Sequence, residues 1–261
     1  MPKLPMVSMD SSGDPMHLKL ICCQVLTLEL KLVLPRSPHT IDVEKLTMGL
    51  HDLGASMRPH LQQRIDAADE QGYDAILLGY ALCGRGTEGL RAGKTKLVLA
   101  RAHDCIGLLM GSRHDYQTYF DAHPGAYFRS PGWLSFQTVG QTLEPAHAAT
   151  QDRIGERRSL DDLIAQYGED NGRYLYDQFR AFRIHYSGLT YISTGVDSED
   201  EFRNRASAEA EKQGWAFDNI KGSLNLLERL VNGQWDEADF LVVPSGASVR
   251  GSLGNSIVEA Q

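Results

Sequence analysis

Short apolar runs alternate along the chain with segments whose apolar residues recur at helical spacing, the pattern of an α/β fold. His17-Leu18-Lys19-Leu20-Ile21-Cys22 predicts a first strand over 17–22. Val25-Leu26-Thr27-Leu28-Glu29-Leu30-Lys31-Leu32 then has the apolar content of a buried helix, ended by Pro35. A weaker strand is expected over 39–44. Leu61, Ile65 and Ala68 share one face of a helix over 57–71 that stops at Gly72. The strongest strand signal is 74–80, and a strand over 96–100 follows a Gly-rich connection. A helix over 104–112 opens at Asp104, a good N-cap residue, and stops near Gly111.

Between 113 and 158 the pattern loses its period. Tyr116, Tyr119, Phe120, Tyr127, Phe128, Trp133 and Phe136 mix with Pro124, Pro131 and glycines, which reads as a long functional or covering loop. Helices are expected over 159–167 and 170–185. A second α/β run follows: strand 189–193, helix 199–213 capped by Ser198, strand 215–218, helix 222–232 and strand 239–243. The expected organisation is a disordered tail over 1–15, an α/β lobe over 16–112 and an aromatic and helical insertion over 113–186. A second α/β lobe over 187–246 and a tail over 247–261 complete it. The fold class is α/β, with mainly parallel sheets, flanking helices and two Rossmann-like lobes whose cleft lies at the strand C-terminal ends.

Composition narrows the function. The chain has 261 residues, ample for a large core, and a net charge of -8. That charge leaves no basic stripe to neutralise phosphates, so nucleic acid is not an expected partner. Arg153, Arg157 and Arg158 cluster, but among acidic neighbours, as on a solvated face. No apolar run reaches the length of a membrane span, and the first fifteen residues lack the apolar segment of a secretory signal. The expected location is the cytoplasm, a reducing compartment, where four cysteines are thiols or ligands rather than disulfides.

Where those cysteines fall carries the chemistry. Cys23, Cys83 and Cys105 each stand just past a strand signal, and His103 is two residues before Cys105. In a parallel sheet those ends share one edge, so Cys23, Cys83, His103 and Cys105 form a candidate metal site, with zinc the expected metal. Cys22 and Cys23 alternate across the strand, and Cys23 is the nearer to its end. Free cysteine is also a common small core residue, which is the competing reading. The chain has no Cys-x-x-Cys pair, so a zinc-ribbon site is excluded. Gly84 and Gly86 let the loop around Cys83 approach a ligand, although the spacing is not that of a phosphate loop. Tyr80, Tyr116 and Trp133 are candidates to line an aromatic pocket for a methylated substrate. His51 is a candidate base or extra ligand, and Arg101 a candidate anion contact. Glu29, a carboxylate among leucines, must find a partner or face a polar site.

These residues resemble the family known as domain of unknown function 1638. The resemblance is carried by Cys23-Gln24-Val25-Leu26 with Glu29, by His51, and by Leu78-Gly79-Tyr80-Ala81-Leu82-Cys83-Gly84. It continues through Arg101-Ala102-His103-Asp104-Cys105-Ile106, Leu109-Met110-Gly111-Ser112, Tyr116 and Pro131-Gly132-Trp133. Leu226-Leu227-Glu228-Arg229-Leu230, Trp235 and Val242-Val243-Pro244 end it. Gln24 stands where the family often has glycine, and Ala81 where it has the second glycine of a Gly-Tyr-Gly-Leu-Cys-Gly motif.

The resemblance implies an association with corrinoid-dependent methyl transfer, and so a methyltransferase-like role in one-carbon metabolism. The expectation is a zinc protein acting on a small molecule, with a corrinoid protein as a further partner and room for an oligomer. The alternatives are a cofactor-binding module or chaperone holding a corrinoid, tetrapyrrole or iron–sulfur cluster, and a metal-free enzyme with Cys105 as nucleophile.

Overall fold

The computed structural model describes residues 14–48, 50, 57–136, 159–181, 186–252, 254 and 256–261. Its larger sheet contains β1 (His17–Cys23), β2 (Thr40–Leu46), β3 (Ala75–Gly79), β4 (Leu97–Ala100) and β8 (Phe240–Val243), in the order β2-β1-β3-β4-β8. The first four run parallel. Every residue of β3 and β4 is buried, as expected for central parallel strands covered on both faces. β2 lies at the edge and is half exposed, and Lys19 pairs across to Glu44 at 3.1 Å.

Helices leave the C-terminal ends of these strands. A short 3-10 turn, Gln24–Leu26, runs into α1 (Thr27–Val33), and α2 (Met57–Asp69) buries Leu61, Ile65 and Ala68 as its spacing predicts. α3 (Cys105–Met110) begins at Asp104, whose carboxylate accepts the Gly107 N–H at 3.1 Å, and ends on Gly111 at a φ of 75°. α4 (Arg113–Ala122) follows directly.

The smaller sheet is wholly parallel: β5 (Ala126–Arg129), β6 (Gly188–Ser193) and β7 (Ala216–Lys221), in the order β5-β6-β7. Its other elements are α5 (Pro131–Ser135), α6 (Leu160–Tyr167), α7 (Glu169–Ala181) and α8 (Glu199–Gln213), with α9 (Asn225–Val231) leading back to the larger sheet.

Several expectations are corrected. The segment expected to be a loop from 113 holds α4, β5 and α5, and β5 is an edge of the smaller sheet. Four residues are too few for a strand period to stand out from an aromatic background. The strand expected to close the second lobe is β8, which pairs antiparallel with β4 in the larger sheet. The stretch read as a tail after 246 forms β9 (Val249–Gly251) and β10 (Val258–Ala260), an antiparallel pair that buries Val249, Ile257 and Val258. Ser198 precedes α8 with φ at 61° and makes no side-chain cap. The Glu199 carboxylate instead accepts from the Thr194 and Gly195 N–H groups. The tail expected over 1–15 falls mostly outside the described residues.

The C-terminal edge of the smaller sheet meets the helices that leave the larger one. Gly132, just past β5, presses so closely on the 3-10 turn that leads into α1 that a Cβ there would overlap the Val25 carbonyl oxygen. Past β7, the Ser223 N–H donates to the Leu109 carbonyl of α3 at 2.8 Å. Ile192 of β6 joins the main apolar core.

Candidate functional site

Since β1, β3 and β4 are adjacent and parallel, their C-terminal ends bring three cysteines to one edge. Cys23 is the last residue of β1 rather than the first beyond it. Its neighbour Cys22 faces the core against Gly79, where a Cβ would come within 2.4 Å of the Cys22 Cβ. Strand alternation therefore assigns Cys22 to packing and turns Cys23 to the other face.

Cys83 is placed by two backbone bonds that extend the β3–β4 pairing. The Leu82 N–H donates to the Ala102 carbonyl at 3.1 Å and the Cys83 N–H to the His103 carbonyl at 2.8 Å. The chain then reverses through three residues of positive φ: Cys83 (46°), Gly84 (61°) and Arg85 (69°). Gly84 adopts this conformation freely, whereas Cys83 and Arg85 carry strain there. Gly86 packs on the Met57 side chain, and a Cβ there would meet it at 3.0 Å. An Arg85–Glu88 ion pair at 2.7 Å and the Gly251 N–H on Glu88 hold the far side of the turn.

Cys105 is the first residue of α3. Burial pushes its thiol well above the ordinary range, with Asp104, Cys23 and Cys83 adding to the rise. Burial likewise raises Cys83 to about 12, and Cys23 and Asp104 contribute in the same direction. Cys23, Cys83 and Cys105 are thus electrostatic neighbours of one another. Among the described residues, however, no group of three or more His, Cys, Asp and Glu side chains stands in an arrangement ready to hold a metal ion.

The remaining candidates have separate surroundings. His103 is exposed, and its ring lies 6.3 Å from that of Tyr116. The Tyr116 hydroxyl donates to the second oxygen of Asp104 at 3.2 Å, so one carboxylate both caps α3 and fixes Tyr116. Tyr80 is buried, its hydroxyl has no hydrogen-bond partner among the described residues, and the cysteines are its electrostatic neighbours. Trp133, on α5, faces the Arg129 guanidinium at 5.5 Å, and Arg129 is itself paired with Glu209 at 2.7 Å.

Arg101 donates to the carbonyls of Glu237 (2.9 Å), Phe240 (3.1 Å), Ser256 (3.2 Å) and Val258. Its guanidinium ties down the C-terminal hairpin instead of facing an anion. His51 lies outside the described residues.

Glu29 has the partners that its sequence context demands. It is fully buried on α1, and one oxygen accepts from the Gly132 N–H at 3.4 Å and the Thr194 hydroxyl at 3.3 Å. Gly132 and Thr194 stand just past β5 and β6, so the two sheets meet on this carboxyl. Its other oxygen has no hydrogen-bond partner among the described residues. Burial raises its pKa to about 7, with the charge of Glu199 adding to the rise. Sequence reasoning missed Gly132 and Thr194 as its partners: Thr194 follows the expected strand 189–193, whereas no strand signal precedes Gly132. A shallow depression of about 480 Å³, with Asp74, Lys94, Lys96 and Ser245 on its wall, opens at the opposite edge of the larger sheet and has no part in this site.

The profile of the family described as protein of unknown function (DUF1638) matches residues 45–231. No curated protein and no solved structure matches the chain.

Proposed function

The chain belongs to the DUF1638 family, and we propose that it is a thiolate metal-binding protein with Cys23, Cys83 and Cys105 as sulfur donors and zinc as the metal. The observation that carries this reading is the gathering of three thiols from three adjacent parallel strands at one sheet edge. The donor set fits a soft, thiolate-preferring cation. Burial keeps the Cys83 and Cys105 thiols protonated on their own, so metal binding would release protons as their thiolates form. His103 completes the set in this reading, and its backbone is already bonded to Cys83.

A zinc ion held by thiolates supplies Lewis-acid chemistry, lowering the pKa of a bound thiol or polarising a leaving group. The chain's own residues do the positioning. Asp104 fixes the start of α3 and hence Cys105, and the strained turn at 83–85 sets Cys83. The substrate we propose is a small methylated molecule of one-carbon metabolism, handed to or from a corrinoid protein. The family resemblance supports this finer step. Gly84 and Gly86 would let the backbone approach that ligand, Tyr80, Tyr116 and Trp133 would supply aromatic surface, and His51 would be the base.

Elemental analysis and a visible spectrum of freshly purified protein test the proposal. One zinc per chain, lost in Cys83→Ser and Cys105→Ser, is the expected result. Absence of stoichiometric metal from the wild type, with unchanged activity in both variants, sinks it. A coloured protein would indicate an iron–sulfur cluster or a corrinoid instead. The metal-free enzyme finds less support, because Cys105 is pushed toward the unreactive thiol and the His103 ring faces Tyr116.

A further inference from the structure

Three segments at the C-terminal end of the smaller sheet hold segments that leave the larger one. Gly132, past β5, presses on the 3-10 turn directly after Cys23. Ser223, past β7, bonds to α3, whose first residue is Cys105. Thr194, past β6, and Gly132 both donate to one oxygen of Glu29, at 3.3 and 3.4 Å. The other oxygen has no partner among the described residues, and a Cβ on Gly132 would lie 2.8 Å from it, too close for water to stand between them. Crevices at the carboxyl ends of strands are where open α/β sheets bind their ligands, so this contact controls a place that matters.

We propose that the smaller sheet is a lid on the C-terminal edge of the larger one, latched by the neutral Glu29 carboxyl and released when that carboxyl ionises. The inference concerns access to the edge and stands apart from what binds there. A neutral carboxyl can sit dry between the sheets, with one oxygen taking both donors. A charged one needs water at the bare oxygen, and water reaches it only if Gly132 moves off the turn. Burial raises Glu29 to about 7, and Glu199 of α8, which accepts the Thr194 N–H at 2.5 Å, adds to the rise. Tyr191 of β6 completes the group, and Glu199 and Glu29 both oppose its ionisation. The cations of the adjoining elements are committed elsewhere: Arg129 of β5 to Glu209, Arg36 to Glu228, and Arg229 of α9 to Asp236 and Asp239. Lys31 of α1 is exposed, and α5 carries no titratable side chain. Release uncovers the turn after Cys23, a residue only 7% exposed when the junction is closed.

Pulsed N-ethylmaleimide labelling in EDTA-containing buffer, read residue by residue by tandem mass spectrometry, compares wild type with Glu29→Gln from about pH 5.5 to 8.5. The thiols' own titration cancels in the ratio of the two rates. At Cys23 that ratio should rise about ten- to thirtyfold over this range and level off above about pH 7. Cys22, fully buried on the other face of β1, should show no such rise. A flat ratio at Cys23 overturns the inference. A parallel rise at Cys22 overturns it too, because it marks opening of the whole fold rather than of a lid. Thr194→Val is the second variant: with one junction bond gone, Cys23 should label about two- to tenfold faster than in wild type at about pH 5.5. Wild-type labelling of Cys23 in Thr194→Val also overturns the latch.

Discussion

Glu29 puts a carboxyl between Leu28 and Leu30 on a helix one turn beyond the candidate thiol edge, where burial opposes ionisation. Its folded pKa is raised from 4.5 to about 7. The sign follows from proton counting: between those values the folded state holds the proton more tightly than the unfolded state. The favourable contribution is complete below about pH 4.5 and is lost as pH rises through about 7. A shift of this size corresponds to about 3 kcal/mol. Urea unfolding between pH 5 and 8 should therefore show a decline in stability that Glu29→Gln largely removes. An unchanged decline in the Gln variant would show that other groups carry it. Next to this carboxyl, Gly132→Ala should cost about 2–4 kcal/mol, because its methyl would overlap the Val25 carbonyl. The oddity of Glu29 was legible in the sequence, since a carboxylate in an apolar helix must be satisfied. Its partners lie 103 and 165 positions away, and no local pattern reports them.

At the scale of elements, legibility followed the length of the apolar run. β1, β3 and β4 stood out because strands covered on both faces are almost wholly apolar, and their order alone placed Cys23, Cys83 and Cys105 at one edge. β5 is four residues long and β9 and β10 three each, too short for a period to emerge. The antiparallel direction of β8 depends on which neighbour it finds, and residue types do not encode that choice. Arg101 shows the consequence: as a charged residue beside His103 it suggested an anion contact, yet four carbonyls of the C-terminal segment occupy it. Arg101→Met should destabilise the fold by about 2–4 kcal/mol, because partly buried carbonyls lose a charged donor. Denaturant unfolding measures this, and a variant of wild-type stability would restore the anion-contact reading. Asp104→Ala should cost about 1–2 kcal/mol through the lost cap of α3 and should free the Tyr116 hydroxyl. Asp104→Asn, which keeps an acceptor, should recover most of that loss.

The molecule as a whole joins a mostly parallel sheet and a smaller, wholly parallel one, of unequal means. The larger is enclosed in the main apolar core, whereas the smaller has its own cluster of Leu134, Leu189, Tyr191, Ala206 and Ala210. β7 is exposed along nearly its whole length, down to Phe217. Much of what holds the smaller sheet is borrowed: Ile192 reaches into the main core, Gly132 and Thr194 grip Glu29, and Ser223 bonds to Leu109. Stability should therefore be graded across the structure, with β7 opening at lower free energy than the strands that carry the thiols. Hydrogen exchange read by mass spectrometry should find Ala75–Gly79 and Leu97–Ala100 the slowest segments and Ala216–Lys221 among the faster strands. Glu29 links the gradient to pH. Raising pH from 5 to 8 ionises the carboxyl that both sheets share, so exchange in β5 and β6 should accelerate, after correction for intrinsic rates, more than in β3 or β4. Glu29→Gln should abolish that difference. Equal acceleration in all strands would mean that the two sheets open only together, and that Glu29 stabilises the whole fold instead of the junction between them.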